Sequence, residues 1–274
     1  MLELPEAAVI AAQINQAMRG KRITQVTANQ NPHAFAWYTG DPAAYPARLI
    51  GKTLGEAVPC AGLVEIQAED QTLVISTAMR YFAAGIKLPK RHQLLLNFED
   101  GSAFCCTVQM WGCMLSLGPG ETSGLVDLQA AKACTSLLSE GFTRAYFDGL
   151  FDEGCGKLSA KEFLATKQRI PGLGNGILQD ILWTARIHPR RKMSNLSGEE
   201  IDAMYRAVVE IPRQMAECGG RDTERDLYGN PGRYVTVLSK NTAGQPCPAC
   251  GMLIKKEAFM GGSIYYCSGC QQLG

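Results

Sequence analysis

A chain of 274 residues, 46% hydrophobic and 19% charged, has the material for two compact domains and is not a disordered tail. No stretch approaches the ~20 continuous apolar residues of a membrane helix, and the start MLELPEAAV lacks the basic n-region and apolar run of a secretory signal, which predicts a soluble, cytoplasmic protein. With 27 Lys and Arg against 26 Asp and Glu, the net charge of +1 neither demands nor forbids an anionic partner, so the distribution of charge is what informs.

In chain order, residues 5–19 (PEAAVIAAQINQAMR) place Val9, Ile10, Ile14 and Met18 at helical spacing, with Pro5 in the first turn and Gly20 as the stop. From about 21 to 118 the texture changes to short runs such as LVEIQ, TLVIST, QLLLNF, SAFCCTV and CMLSL. Turn pairs such as Glu69-Asp70 and Asp100-Gly101 separate them, which predicts an antiparallel β-sandwich or barrel. Residues 119–156 read as a connector with one helix around Leu128–Ser139, and residues 157–235 as a helical domain ending in the Gly- and Arg-rich loop GGRDTERDLYGNPGRY. Residues 236–274 form the last module.

Seven of the eleven cysteines, Cys60, Cys105, Cys106, Cys113, Cys134, Cys155 and Cys218, lack ligand spacing and read as reduced, mostly buried thiols. The other four form two C-x-x-C knuckles, Cys247/Cys250 and Cys267/Cys270, with sixteen residues between them. Four thiolates on two knuckles joined by a hairpin-length segment suit one tetrahedral structural zinc. A segment of about 30 residues cannot bury enough apolar surface to fold alone, so the metal substitutes for a core.

Between Lys157 and Lys192 stand eight basic residues (Lys157, Lys161, Lys167, Arg169, Arg186, Arg190, Arg191, Lys192) and only two acids, Glu162 and Asp180. A solvated helix face is one reading. The embedded turn Ile170-Pro171-Gly172-Leu173-Gly174-Asn175-Gly176, followed by the apolar helix ILQDILWTARI, favours another. Glycines let backbone amides approach an anion, the helix N-terminus adds its positive end, and Asn175 is placed to cap the helix and touch a phosphate. No strand leads in with G-x-G-x-x-G spacing, so a dinucleotide site is excluded and a DNA-backbone site preferred.

The start Met1-Leu2-Glu3-Leu4-Pro5-Glu6, the segment from Lys161 through Ile170–Gly176 to Ala185-Arg186-Ile187-His188-Pro189, and the ending Cys247-Pro248-Ala249-Cys250-Gly251…Tyr266-Cys267-Ser268-Gly269-Cys270-Gln271 together resemble the formamidopyrimidine-DNA glycosylase and endonuclease VIII family, in family order and over the whole chain. The resemblance implies an α+β, multidomain fold: an N-terminal helix with a β-sandwich over 1–118, a helix–two-turn–helix DNA-binding domain over 157–235, and a C-terminal zinc-finger β-hairpin over 236–274. It also implies base excision repair by a single chain on double-stranded DNA, damaged or abasic, with the target nucleotide flipped out of the stack. Localisation would then be cytoplasmic, on the nucleoid when bound.

By the same resemblance Glu3 is the acid that protonates the deoxyribose ring oxygen, and Glu6 organises the helix start. Both also suit the role of helix N-terminal acids. Lys161, Gly174 and Asn175 belong to the DNA-contacting set, and Met79, Met110 and Trp111 fall at the residues that fill the gap left by the flipped base. Trp111 reads equally as a core aromatic.

Four departures are visible. Leu2 replaces the family's Pro nucleophile; a primary amine can still form a Schiff base, but a large second residue predicts a retained Met1. Cys60 stands where the resemblance puts a phosphate-contacting Lys, and Gly262 where the hairpin carries an Arg. Met110 likewise replaces the Arg that pairs with the orphan base. Two hypotheses follow: a divergent DNA glycosylase with residual lyase chemistry through Leu2, Glu3 and Glu6, or a catalytically silent damaged-DNA-binding protein of the same fold.

Overall fold

The computed structural model describes residues 2–166 and 169–273, without the side chains of residues 126 and 127. The chain divides into two compact units, Met1–Gln129 with Glu224–Pro231, and Ala130–Thr223 with Gly232–Gly274.

The first unit opens with helix α1 (Leu4–Ala17), whose buried face is Leu4, Ala7, Ile10, Ala11 and Ile14, the i, i+3, i+4, i+7 stripe expected of an amphipathic helix. Strands β1 (Ile23–Ala28) and β2 (Ala36–Trp37) follow, then helix α2 (Tyr45–Leu49). Next come β3 (Leu54–Cys60), β4 (Leu63–Ala68), β5 (Gln71–Ser76), β6 (Ala78–Phe82), β7 (Leu94–Phe98), β8 (Ala103–Thr107) and β9 (Gly112–Leu117). They form a four-stranded sheet, β1-β7-β8-β6, and a five-stranded sheet, β2-β9-β5-β4-β3. Their inward residues interdigitate with α1 in one core: Val64, Ile66, Leu73, Ile75 and Met114 from one sheet, Ile23, Leu94, Leu96, Phe104 and Met79 from the other. The sandwich expected from the alternating runs is thus present. Every pairing within the two sheets is antiparallel except β2 with β9.

The segment Glu224–Pro231, expected to close the helical domain, folds into this first unit instead. Leu227 is fully buried in the sandwich core. Its N–H donates to Gln13 Oε1 at 2.9 Å, and its carbonyl accepts from Tyr81 N–H at 2.9 Å. A single leucine amid polar neighbours gives no periodic signal, so its burial is invisible in the sequence.

In the second unit, α3 (Val126–Ala133) enters from the first, and α4 (Arg144–Asp148) is capped by Thr143. Residues 130–156, read as a connector, are packed here: Phe147 is fully buried and its ring meets those of Phe151, Phe163 and Tyr205. A turn of π-helix (Glu162–Thr166) precedes α5 (Asn175–Thr184) and the long α6 (Gly198–Glu217). Ser197 and Glu200 close α6 with a reciprocal capping box, satisfying two end N–H groups. The hairpin β10 (Lys255–Phe259) and β11 (Gly262–Tyr266) ends the unit. Among the described residues no helix is long and apolar enough to cross a membrane.

Candidate nucleic-acid interface and metal centre

The Sγ atoms of Cys247, Cys250, Cys267 and Cys270 all lie within 4.8 Å of one another, with Cys247–Cys270 at 3.7 Å and Cys250–Cys267 at 3.3 Å. Four sulfurs about 2.3 Å from one ion in a tetrahedron stand about 3.8 Å apart, so the cluster fits a metal without rearrangement. A Cβ at Gly269 would come within 2.9 Å of Cys250 Sγ, so the knuckle requires glycine there. The second knuckle is tied down from outside: Cys267 N–H donates to Gln271 Oε1 at 2.9 Å, and Gln271 Nε2 donates to the Ile187 carbonyl at 2.9 Å. Three of the four thiols are buried, leaving Cys250 exposed.

The hairpin turns on Met260 and Gly261, both left-handed (φ 52° and 73°), between the paired Phe259 and Gly262. Two successive positive φ values make the tight turn whose twist matches a hairpin. At the tip, Lys161 is only 3% exposed and its Nζ donates to the Phe259 carbonyl at 2.6 Å. Burial, then the charge of Arg190, pushes the Lys161 ammonium below its ordinary range. Arg190 lies 4.2 Å from the Phe259 ring centroid and pairs with Glu257 at 3.1 Å.

Asn175 does not cap α5. Gly174 is the N-cap residue, without a side-chain cap, and Asn175 is the first helical residue. Its Nδ2 instead donates to the Ser263 carbonyl at 2.8 Å, and its buried Oδ1 has no partner among the described residues. One helical turn on, the 2%-exposed Gln179 repeats the contact: Nε2 donates to Ser263 O at 3.3 Å and Oε1 accepts from Tyr265 N–H at 3.0 Å. Helix α5 thereby holds β11 by two amide side chains spaced i, i+4. Gln179 escaped the sequence reading although that spacing from Asn175 marks it.

These contacts converge on Gly262, where a Cβ would stand 3.5 Å from Lys161 Nζ and 3.8 Å from Asn175 Nδ2. The backbone there is not left-handed, so its geometry does not require glycine. The Lys161 ammonium and the Asn175 amide thus meet at a residue that carries no side chain. Of the turn before α5, Gly172 is the left-handed residue (φ 83°), whereas Gly174 is extended (φ −98°).

The basic run is less bare than its sequence suggests. Arg169 pairs with Asp152 at 2.8 Å, Arg191 with Glu200 at 3.0 Å and Arg190 with Glu257, all acids outside the window or at its margins. Lys192 donates to the Lys157 carbonyl, Lys157 and Arg186 are exposed, and Lys167 lies outside the described residues. Of the two acids inside the window, Asp180 is 1% exposed and accepts from the Val237 and Leu238 amides at 3.0 and 2.8 Å. It is a fold anchor.

In the first unit, Glu3 is the N-cap of α1, and Glu6, in the first turn, is 3% exposed, deeper than a solvated helix-end acid. The Leu2 side chain packs against the sandwich core. Met1 lies outside the described residues, and with it the expectation that it is retained. Cys60 ends β3 beside the two-residue turn Ala61-Gly62; from Pro59 to Gly62 the chain carries no charged side chain. Met79 is 2% exposed in the core, so it reaches solvent only by changing rotamer. Met110 is 80% exposed, and Trp111 is half-buried.

An α-helix on a β-sandwich, a helical unit and a four-thiol hairpin define a class of nucleic-acid-binding fold, and comparison with known proteins specifies it. No model of a known protein family matches the chain. It is 26% identical over 286 residues to a formamidopyrimidine-DNA glycosylase of Lactobacillus delbrueckii subsp. bulgaricus, covering 99% of this chain and 100% of that protein. The MutM (Fpg) protein of Thermus thermophilus superposes with a TM-score of 0.81 at 23% identity, covering 99% of each chain. The Lactococcus lactis Fpg, solved with abasic-site DNA, gives 0.81 at 21% identity over 98% of this chain and 99% of that one. In sequence over its whole length, and in fold, the chain is similar to formamidopyrimidine-DNA glycosylases.

Proposed function

We propose that the protein acts in base excision repair, binding damaged or abasic double-stranded DNA as a single chain, with one Zn²⁺ on Cys247, Cys250, Cys267 and Cys270. The observation that carries this is the meeting of two donors, Lys161 Nζ and Asn175 Nδ2, at Gly262, within 3.5 and 3.8 Å of where a Cβ would stand. An ammonium with three N–H donors and one carbonyl acceptor retains capacity for phosphate oxygens. Gly174 and the α5 N-terminus add backbone polarity of the right sign. Met110 and Trp111 supply apolar surface for the gap left by a flipped nucleotide, and Met79 joins them once it leaves the core. The zinc is structural: it fixes the hairpin whose tip meets Lys161 and supplies no chemistry to the substrate.

The chemistry supported is cleavage of the bond between sugar C1′ and the damaged base. The neutral N-terminal α-amine attacks C1′ as the C1′–base bond breaks with its electron pair leaving on the base, which takes up the proton the amine gives up. Glu3 then protonates the ring oxygen as the C1′–O4′ bond opens, leaving a Schiff base between C1′ and the amine. Glu6, 3% exposed in the first turn, organises the helix start and nearby protons. Release of the second phosphate is not supported, because Gly262 offers no cation at the hairpin tip.

A second reading, a silent binder, is favoured by Leu2: its packing against the core uses the residue as a hydrophobic anchor. Borohydride trapping on abasic DNA separates the two. A covalent adduct that disappears when the N-terminus is blocked supports the glycosylase. Tight binding without an adduct, together with an intact mass that includes Met1, supports the silent binder. Absence of binding to abasic DNA at low salt defeats both.

A further inference from the structure

The first unit exposes two large aromatics that the DNA-binding set above does not use: Phe35 at 56% and Trp37 at 52%. They flank Ala36 on β2, the edge strand of the five-stranded sheet. Ala36 and Tyr38 pack against the core, so by alternation along β2 Trp37 points away from it, and Phe35, in the turn that leads into β2, is likewise exposed. Two exposed aromatics at one short edge strand invite stacking or aggregation unless something covers them.

Their surroundings select the occupant. Strand β2 pairs in parallel with β9 at Ala36↔Gly112, and the Phe35 carbonyl accepts from Gly112 N–H at 3.0 Å. In this register Trp37 stands opposite Cys113, and Phe35 bonds the backbone one residue after Trp111. In the loop that leads to β2, the Asn31 backbone N–H donates to the His92 carbonyl at 3.3 Å, and Asn31 Oδ1 accepts from His92 N–H at 3.1 Å. This fixes the exposed cations Lys90 and Arg91 next to the same loop. The buried Gln93 (6% exposed) locks the three loops: its Nε2 donates to the Asn31 carbonyl at 2.8 Å, and its Oε1 accepts from Val108 N–H at 2.8 Å. Flat aromatic faces interleaved with cations, held on a rigid frame, are what unpaired nucleobases and their phosphates bind, because every base has a face to stack and none need be read by its edge.

We propose that Phe35 and Trp37, flanked by Lys90, Arg91 and Met110, form a stacking platform for unpaired DNA bases adjoining the lesion, so that the protein favours damage in bubbles or single strands over damage in fully paired duplex. The proposal rests on the damaged-DNA reading above and names the form of DNA that reading leaves open. The platform uses no base-edge hydrogen bonds, so it tolerates any sequence.

The test uses the full-length, zinc-loaded protein and two labelled probes sharing one strand with an abasic analogue: one fully paired, the other opened into a thymine bubble. The double variant Phe35→Ala/Trp37→Ala is expected to weaken bubble binding by about tenfold or more while leaving paired-duplex affinity within about twofold. Trp37→Phe, which keeps a stacking face, is expected to retain bubble affinity. Both side chains are more than half exposed, so neither change opens the core. Oligo(dT) is expected to quench wild-type tryptophan emission, with much of that quench lost in Trp37→Phe.

An equal loss on both probes, or no loss on either, overturns the platform. So does concentration-dependent self-association that needs Phe35 and Trp37 while bubble affinity stays unchanged, since the occupant is then a second copy. If the wild type ignores the paired abasic probe, the damaged-DNA reading fails by itself; the oligo(dT) quench still decides the platform, upheld if Trp37-dependent and lost if absent.

Discussion

At the hairpin corner of the second unit, Lys161, Asn175 and Gln179 each donate to a backbone carbonyl of the hairpin or its turn, so the groups proposed to meet phosphate also hold β10 and β11 in place. At the helix-start corner of the first unit the arrangement is the reverse. The residue at position 2 contributes an apolar side chain to the core, and the β3–β4 turn ends in Cys60, Ala61 and Gly62 without a cation. Groups wired into the fold cannot be exchanged without leaving buried carbonyls or N–H groups unpaired, at a cost of about 1–3 kcal/mol each. On the function proposed above, the chain would keep the hairpin contacts that hold DNA and differ from the resemblance at Leu2, Cys60 and Gly262.

The comparison breaks most severely if the metal goes. Chelation, or Cys267→Ser, is expected to release the zinc, dissolve the hairpin and abolish abasic-DNA binding, a loss of about a hundredfold or more, because a segment this small has no other core. Zinc content by absorption spectroscopy and binding by anisotropy check it. Binding unchanged in metal-free protein would show that the hairpin is not part of the grip.

Lys161→Ala removes one cation from the phosphate site and the donor on the Phe259 carbonyl. Affinity for abasic duplex is expected to fall about tenfold, with the slope of log K against log salt reduced by about 0.9, the signature of one phosphate contact. A loss of affinity with an unchanged slope would place Lys161 in the fold alone. The converse change is smaller. Gly262→Arg fits the backbone and adds a cation beside two donors, so affinity is expected to rise a few-fold and the slope to steepen by up to the same increment. An unchanged slope would mean that the space at Gly262 does not face phosphate.

Much of this is legible in the sequence, for identifiable reasons. The α1 stripe, five of the strands and the four-thiol cluster follow periodicities or spacings that local chemistry dictates. Asn175 reads as a cap because capping is a local rule, whereas Ser263, its actual acceptor, comes from 88 residues away. The basic run looks barer than it is because Asp152 and Glu257 join it only in three dimensions. Leu227 and the platform at Phe35 and Trp37 have no signal: one is a lone apolar residue in a polar loop, and the other depends on an edge pairing that no pattern announces.

Asp180 provides the finest separation between fold and grip. Burial pushes its carboxyl up to about 6, against the pull of the Leu238 and Val237 amides, the Tyr234 hydroxyl and the Arg221 charge. A carboxyl that binds its proton more readily folded than unfolded adds stability that is complete below about pH 4 and is lost as pH rises through about 6. From about pH 5.5 to 7.5 the loss from this group alone is about 1 kcal/mol or less, or a fall of roughly 2 °C in Tm for a protein of this size. Asp180→Asn should flatten that part of the Tm–pH curve and leave the salt slope of DNA binding unaltered, because the residue faces the 237–238 backbone and not the hairpin tip. A changed slope in Asp180→Asn would place Asp180 in the electrostatic field of the bound phosphate and remove it from the class of purely structural acids.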